Sequence, residues 1–110
     1  MAFYENDTVT TLIVSDGVTK IGNSAFSSCT NLIDVTISGS VMSIGTYAFA
    51  YCDNLTSITL ENTEGWYYTS KADAVSGSPI YASNLKDPRT SAKYFSKDYR
   101  SYYLKRSDTL

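Results

Sequence analysis

The chain has 110 residues, of which 43% are hydrophobic and 18% charged, a size and composition that fit one folded domain and exclude wholesale disorder. No stretch reaches the roughly 18 apolar residues of a membrane helix, and residues 1–10 lack the basic start and apolar run of a signal peptide, so we expect no membrane insertion. Charge is uneven, because residues 1–85 carry two basic and eight acidic side chains whereas residues 86–106 carry seven basic and two acidic.

An internal repeat dominates the first half of the chain. Residues 18–37 align without gaps with residues 41–60, and nine of the twenty positions are identical. The shared frame is V-x-x-I-G-x-x-A-F-x-x-C-x-N-L-x-x-(V/I)-T-(I/L). A further shift by 23 residues places Ala2-Phe3 on Ala25-Phe26 and Val14 on Ile37. The chain therefore begins in the middle of a repeat.

Each repeat predicts one short strand followed by one helical turn. Val35 and Ile37 alternate with Thr36, which is typical of a strand with one buried face. The apolar residues from Val41 to Cys52 lie three or four apart, as on one face of a helix, and the glycine suits a tight entry. Since 23 residues return the chain to the next strand, residues 1–60 predict a solenoid of parallel strands about 4.8 Å apart. Its predicted core column contains Leu12, Val14, Phe26, Leu32, Val35, Ile37, Phe49, Leu55, Ile58 and Leu60.

Residues 61–110 do not repeat and predict a small α+β cap on the last coil, within the same structural unit. Two extended pieces, residues 66–68 and 79–81, flank a loop and predict a hairpin-like segment. Asp87-Pro88 predicts a helix start, because a carboxylate accepts free N–H groups and proline is tolerated at the first position. The apolar positions of this terminal helix are Ala92, Phe95, Tyr99 and Tyr102. Lys93, Lys97 and Arg100 fall mostly on its solvent side.

The A-F-x-x-C-x-N-L frame at this period resembles the BspA-like leucine-rich repeats, a family of surface proteins of gut and oral bacteria and some protozoa. The resemblance covers residues 2–60, and residues 61–110 resemble the closing segment of such proteins. It implies an α/β-type solenoid of leucine-rich repeat coils. It also implies an extracellular or cell-surface location and a role in recognition, often adhesion to host proteins or other cells.

Catalysis is not expected from this sequence. The chain has no histidine, which removes the usual general base and the commonest transition-metal ligand. Cys29 and Cys52 hold equivalent repeat positions, where they predict stacked core thiols, with a disulfide between adjacent coils as the alternative. Asn31 and Asn54 precede the strands and predict a structural ladder of turn hydrogen bonds. We find no phosphate loop, no paired zinc ligands and no calcium-binding set, so no cofactor or metal is expected.

Two surfaces are candidates for binding a protein or glycan. Alternation places the following residues on the exposed face of the repeat strands: Thr11, Ile13, Ser15, Asp34, Thr36, Ser38, Ser57, Thr59 and Glu61. The alternative is the basic, tyrosine-rich cap, which could hold nucleic acid or an anionic polymer through Lys86, Arg89, Lys93, Lys97, Arg100, Tyr103, Lys105 and Arg106. A basic helix is most often simply a solvated face, so nucleic acid is not the expected partner.

Two further interpretations stay open at this level. The aromatic residues after residue 60 either stack on ligands or fill the end of the repeats. Filling the end of the repeats is favoured for Trp66, Phe95 and Tyr99. The cap can also be purely architectural, without a ligand. Finally, a first strand with no preceding coil exposes an edge, which predicts self-association through the N-terminal coil.

Overall fold

Two sheets and a short helical segment make up the computed structural model, which describes residues 8–107. The strands in chain order are β1 (Thr11–Val14), β2 (Lys20–Ile21), β3 (Asp34–Ile37), β4 (Ser43–Ile44), β5 (Ser57–Leu60), β6 (Trp66–Thr69), β7 (Ser78–Pro79) and β8 (Tyr103–Arg106). Helices α1 (Ala82–Leu85) and α2 (Pro88–Lys93) precede β8, and a π-helical segment, Tyr94–Asp98, continues α2. Sheet A has the order β1-β3-β5, and sheet B has the order β2-β4-β8-β6-β7.

Sheet A is the structural expression of the repeat. Its strands are parallel, and each pairs with its counterpart one repeat later, so that Leu12 lies opposite Val35 and Val35 opposite Ile58. Val35 and Ile58 are fully buried, whereas Thr36 is half-buried on the other face. The period of two in the sequence therefore predicted the strand register and its inward face correctly.

The segments between β1, β3 and β5 consist of turns and the two-residue strands β2 and β4, so the predicted helical turn in each repeat is wrong. Four residues at two equivalent pairs of positions have positive φ: Ser24, Ser28, Tyr47 and Tyr51. A left-handed residue at every fourth position interrupts an α-helix. The freed N–H groups of Ser24, Phe26 and Ser28 donate instead to the carbonyls of Thr46, Ala48 and Ala50 in the next repeat, at 2.8 to 2.9 Å. A spacing of three to four fits consecutive turns as well as a helix, which is why the sequence pattern misled.

Gly45, at the start of the second turn segment, serves close packing between repeats, not the tight entry inferred from the sequence. A Cβ on Gly45 would collide with the backbone and side chain of Asn23. The equivalent Gly22 has open space around it among the described residues. The need for glycine thus comes from the neighbouring repeat and is invisible in any single one.

Polar side chains also tie successive repeats together. Asn54 donates through Nδ2 to the carbonyl of Thr30 at 2.7 Å, which confirms the structural role predicted for this asparagine. Asn23 Oδ1 accepts from the amide of Thr46 at 2.9 Å. Both bonds join equivalent turns of adjacent repeats, so they satisfy backbone groups that the strands leave unpaired.

The C-terminal half follows its predicted outline as far as residue 98. β6 and β7 form the expected antiparallel hairpin, and α2 starts at Pro88 with Asp87 accepting from the amide of Arg89 at 3.1 Å. The predicted terminal helix continues as a π-helical segment to Asp98, with Phe95 buried and Lys97 exposed as predicted. It is wrong only beyond Asp98, where the described chain continues into β8. This strand pairs antiparallel with both β4 and β6. Leu104 is its one buried residue, too little to show as a pattern in the sequence.

A continuous core runs through the repeats into the cap. Phe49 is fully buried and its ring stacks on that of Phe26 at 5.5 Å. Trp66 and Phe95, 5.9 Å apart, continue the core toward the cap. Eight of the ten predicted column residues are buried, while Leu12 and Phe26 are half-buried. Both exceptions come from the first repeat that the structure describes.

Candidate binding surface

The outer face of sheet A carries two rows of residues in register. One row is Thr11, Asp34 and Ser57, and the other is Ile13, Thr36 and Thr59. Ile13 is 68% exposed, and Thr11 and Thr59 are exposed, whereas Asp34, Thr36 and Ser57 are half-buried. The face is therefore a flat surface of hydroxyls with one carboxylate and one apolar side chain at the β1 edge.

The third predicted row, which follows the strands, is only partly a surface. Ser15 and Glu61 are exposed, but Ser38 is buried, contrary to its predicted place on the exposed face. Its hydroxyl donates to Asp16 Oδ1 at 2.9 Å, so it ties two repeats together instead of facing solvent. Glu61 in turn accepts from the amide of Gly39 at 3.2 Å. Ser38 and Glu61, at the ends of the strands, therefore form hydrogen bonds within the protein that stabilise the adjacent turns.

A groove of about 780 Å³ lies between β5 and α2. Thr56 and Ser57 line it from the last repeat, and one carboxylate and three cations line it from the cap: Asp87, Arg89, Lys93 and Lys97. Within the described residues the one salt bridge is that of Lys93 with Asp98, at 3.8 Å between exposed side chains. The groove brings a part of the predicted sheet face next to a part of the predicted basic surface.

The remaining cationic residues of the cap are not gathered at this groove. Lys86 is exposed on the segment between the helices. Arg100 donates to the carbonyl of Lys97 at 2.8 Å and lies 6.0 Å above the ring of Tyr51. Tyr103, Lys105 and Arg106 belong to β8 and line a different groove. The basic cluster that is continuous in sequence is therefore divided in space.

Two of the β8 cations support backbone structure. Arg106 donates from Nη1 to the carbonyls of Gly39 and Val41, at 2.7 and 3.3 Å. Lys105 Nζ donates to the carbonyls of Ala72 and Ala74. These charge-assisted bonds hold a repeat turn and the β6-β7 loop, respectively.

The aromatic residues of the cap mostly fill its interior, which confirms the plugging role predicted for Trp66 and Phe95. Tyr99 is half-buried and its ring stacks on Tyr68 at 4.2 Å, with Tyr94 at 5.0 Å. Desolvation by burial and the neighbouring Tyr68 raise the pKa of Tyr99. Tyr81, by contrast, is 67% exposed.

Both cysteines are core residues, as predicted. Cys29 and Cys52 are buried thiols and are not joined in a disulfide. Burial raises the pKa of Cys52 to about 11, and its thiol donates to the carbonyl of Phe26 at 3.1 Å. At neutral pH the thiolate needed for nucleophilic chemistry is thus strongly disfavoured at Cys52.

The repeat frame of the sequence agrees with a comparison against family models. The family model described as the BspA type leucine rich repeat region, with six copies, matches residues 1–76. The chain belongs to the BspA-type leucine-rich repeat family. No curated protein and no solved structure matches it significantly.

Membership of the BspA-type family carries a general meaning. BspA-type repeats are generally surface-associated binding repeats and generally not enzymes. The match also extends over residues 61–76, which contain β6 and were assigned to the cap from the sequence. No helix among residues 8–107 is long and apolar enough to cross a membrane, and the same residues contain no group of three or more metal-binding side chains.

Proposed function

We propose that this BspA-type chain is a non-catalytic adhesion module of a surface protein, and that it binds a protein through the outer face of sheet A and the groove beside β5. In this proposal the repeats are coils of a solenoid, stacked along the direction of the sheet A hydrogen bonds. The observation that carries it is the groove itself, which joins hydroxyls of the last repeat to three cations of the cap.

The chemistry of this surface changes from one side to the other. Ile13 offers an exposed apolar contact at the β1 edge, and Thr36 and Asp34 offer hydrogen-bonding groups in the middle. Arg89, together with the two lysines of the groove, adds positive charge beyond β5. Such an arrangement suits a protein partner that has an apolar patch next to acidic groups, because opposite charges fix its orientation and speed its approach.

The size of the face limits its affinity. Three strands about 4.8 Å apart and four residues long present roughly 200 Å², whereas a standard interface uses about 800 Å² from each partner. The groove beside β5 adds to this area but does not reach the standard size alone. We therefore expect weak binding by a single copy and much stronger binding when several copies act together.

The test measures binding of the chain, displayed in many copies on beads, to a panel of extracellular-matrix proteins and mucins. For any partner detected, the double variant Thr36→Lys, Thr59→Lys is compared with the control Ser83→Lys. Ser83 is exposed on α1, outside the sheet face and the groove. We expect at least a tenfold loss of affinity for the double variant and no change for the control.

Two results would contradict the proposal. Binding that survives the double variant, and also survives Arg89→Glu, would exclude this surface as the contact. If the multivalent form binds none of the panel, the alternative of a purely architectural cap without a ligand is favoured. The bonds from Lys105 and Arg106 to backbone carbonyls support that alternative. A nucleic-acid partner would be recognised by tight binding to a DNA duplex that falls steeply as salt increases.

A further inference from the structure

The outer side of sheet B carries a row of polar residues drawn from four strands. The register places Lys20 opposite Ser43, Ser43 opposite Lys105, and Lys105 opposite Tyr67. The adjacent row contains Ile21, Ile44 and Leu104, all buried in the core. Because side chains alternate across a strand, the row that starts at Lys20 lies on the opposite face from Ile21, Ile44 and Leu104. Its last member, Tyr67, is 7% exposed.

The β6-β7 loop forms a wall along this row. Tyr67 donates through its hydroxyl to the carbonyl of Ala74 at 3.3 Å, and Lys105 reaches the same carbonyl at 3.1 Å. At the end of the loop, a Cβ on Gly77 would lie 2.5 Å from the carbonyl oxygen of Tyr68, so only glycine permits this approach. The result is a built groove of about 700 Å³, within the usual range of roughly 300–1,000 Å³ for ligand sites.

The groove is cationic on a body that is otherwise acidic. Lys20, Lys105 and Arg106 line it, and none of its lining residues is an aspartate or glutamate. Lys20 is exposed and makes no salt bridge in the described part of the chain. In contrast, residues 1–85 as a whole carry eight acidic and two basic side chains. Low-dielectric walls around like charges concentrate the field, so the groove attracts anions.

The unused hydrogen-bonding groups in the groove are mainly donors. The side-chain oxygen of Asn23 accepts a hydrogen bond from the amide of Thr46, which leaves its Nδ2 protons for a ligand. Lys105 uses two of its three ammonium protons on backbone carbonyls, and Lys20 retains all of its own. Tyr103, half-buried at the rim, adds a flat apolar ring with a hydroxyl. Donors around an aromatic ring suit sugars that carry carboxylate or sulfate groups.

We propose that this groove is a second binding site, separate from sheet A, for an anionic oligosaccharide. In this proposal the acidic groups of the oligosaccharide lie between Lys20 and Lys105, and one of its sugar rings rests on Tyr103. An acidic peptide fits less well, because β4 and β8 on the groove floor are paired with strands on both sides. A peptide backbone would find no ladder partner there for its own N–H and C=O groups.

The test titrates the full chain with a size-defined heparin-derived octasaccharide, followed by calorimetry and by amide chemical shifts. Lys20→Glu is the groove variant, and Lys86→Glu is the matched control, because it makes the same charge change at an exposed lysine outside the groove. We expect saturable binding that shifts the amides of Gly22, Ala72 and Ala74. Lys20→Glu should weaken it at least tenfold, and Lys86→Glu less than twofold.

Further ligands and variants decide between this site and its rivals. A neutral dextran oligosaccharide should not bind, and Thr36→Lys on sheet A should leave octasaccharide binding intact. An equal loss in Lys20→Glu and Lys86→Glu would mean attraction by net charge only, and would overturn the proposal. So would absence of binding at millimolar ligand, or a polyglutamate peptide that binds as tightly as the octasaccharide. Thermal melts of both variants show that a loss is not due to unfolding.

Discussion

Phe49 tests whether the repeats share one core. Its side chain is fully buried and stacks on Phe26 at 5.5 Å. A phenylalanine that buries about 150–200 Å² at about 25 cal/mol per Å² contributes roughly 4–5 kcal/mol. This agrees with the usual loss of about 3–5 kcal/mol for Phe→Ala in a core. The loss is a large fraction of a typical domain stability of about 5–15 kcal/mol.

Phe26 provides the matched comparison, because it occupies the same position one repeat earlier but is half-buried. Because Phe26 keeps a minor part of its surface in water, Phe26→Ala should cost less than Phe49→Ala, roughly 3 kcal/mol. Ile13→Ala, at a side chain that is 68% exposed, should change stability by less than about 0.5 kcal/mol. The expected order of destabilisation is therefore Phe49, then Phe26, then Ile13.

Urea and thermal unfolding can measure all three variants with Trp66 as the probe. It is the single tryptophan of the chain and is 2% exposed, so its fluorescence reports on the core. At about 4–8 °C per kcal/mol, Phe49→Ala should lower Tm by at least about 12 °C. A Phe49→Ala protein as stable as Ile13→Ala would refute the inward register. Equal losses at Phe49 and Phe26 would refute the difference in burial between the repeats.

Three more outcomes follow from the same contacts. Removing residues 61–110 exposes the edge of β4 that pairs with β8 and the surface of β5 that packs on α2. The remaining fragment should therefore aggregate, as measured by light scattering, and a cooperative melt of that fragment would contradict this. The folded pKa of Cys52, about 11, lies above that of an unfolded thiol near 8.5, so its contribution is complete below about pH 8.5 and is lost as pH rises toward 11. Urea unfolding at pH 8 and pH 10.5 should then show a larger loss for the parent than for Cys52→Ala, and equal losses would exclude the shift. We also propose self-association through β1, beside a groove of about 450 Å³ lined by Leu12, Val18 and Phe26; Ile13→Lys should weaken it in a light-scattering dilution series, and a parent that is monomeric at millimolar concentration would disprove it.

The turns of the second repeat and the C-terminal helix show where a local sequence pattern fails to predict structure. The spacing from Val41 to Cys52 fits a helix and a series of turns equally well, and only hydrogen bonds with the preceding repeat select the turns. Similarly, the apolar spacing up to Tyr102 favoured a longer helix. The chain leaves the helix earlier because β8 finds partners in β4 and β6, which lie far away in the sequence.

The candidate binding surfaces were also predictable from the sequence only in part. Alternation in the strands was enough to predict that Ile13, Thr36 and Thr59 lie on the outer face, since a short strand with one buried face has no other register. It failed at Ser38, where the chain has left the strand and the hydroxyl turns to Asp16. The groove beside β5 needed the position of α2, which no pattern in the repeat specifies.

The sequence by itself determined the repeat, its strands, their inward faces and the family, because all of these depend on a period that recurs within one chain. Tertiary structure decided the turns, the need for Gly45, the strand β8 and the placement of Lys20 and Lys105 along one groove. Each of these depends on which distant backbone lies alongside. A residue pair brought together by strand pairing across three strands leaves no trace in local spacing, since hydrogen bonding between strands is indifferent to their separation in the chain.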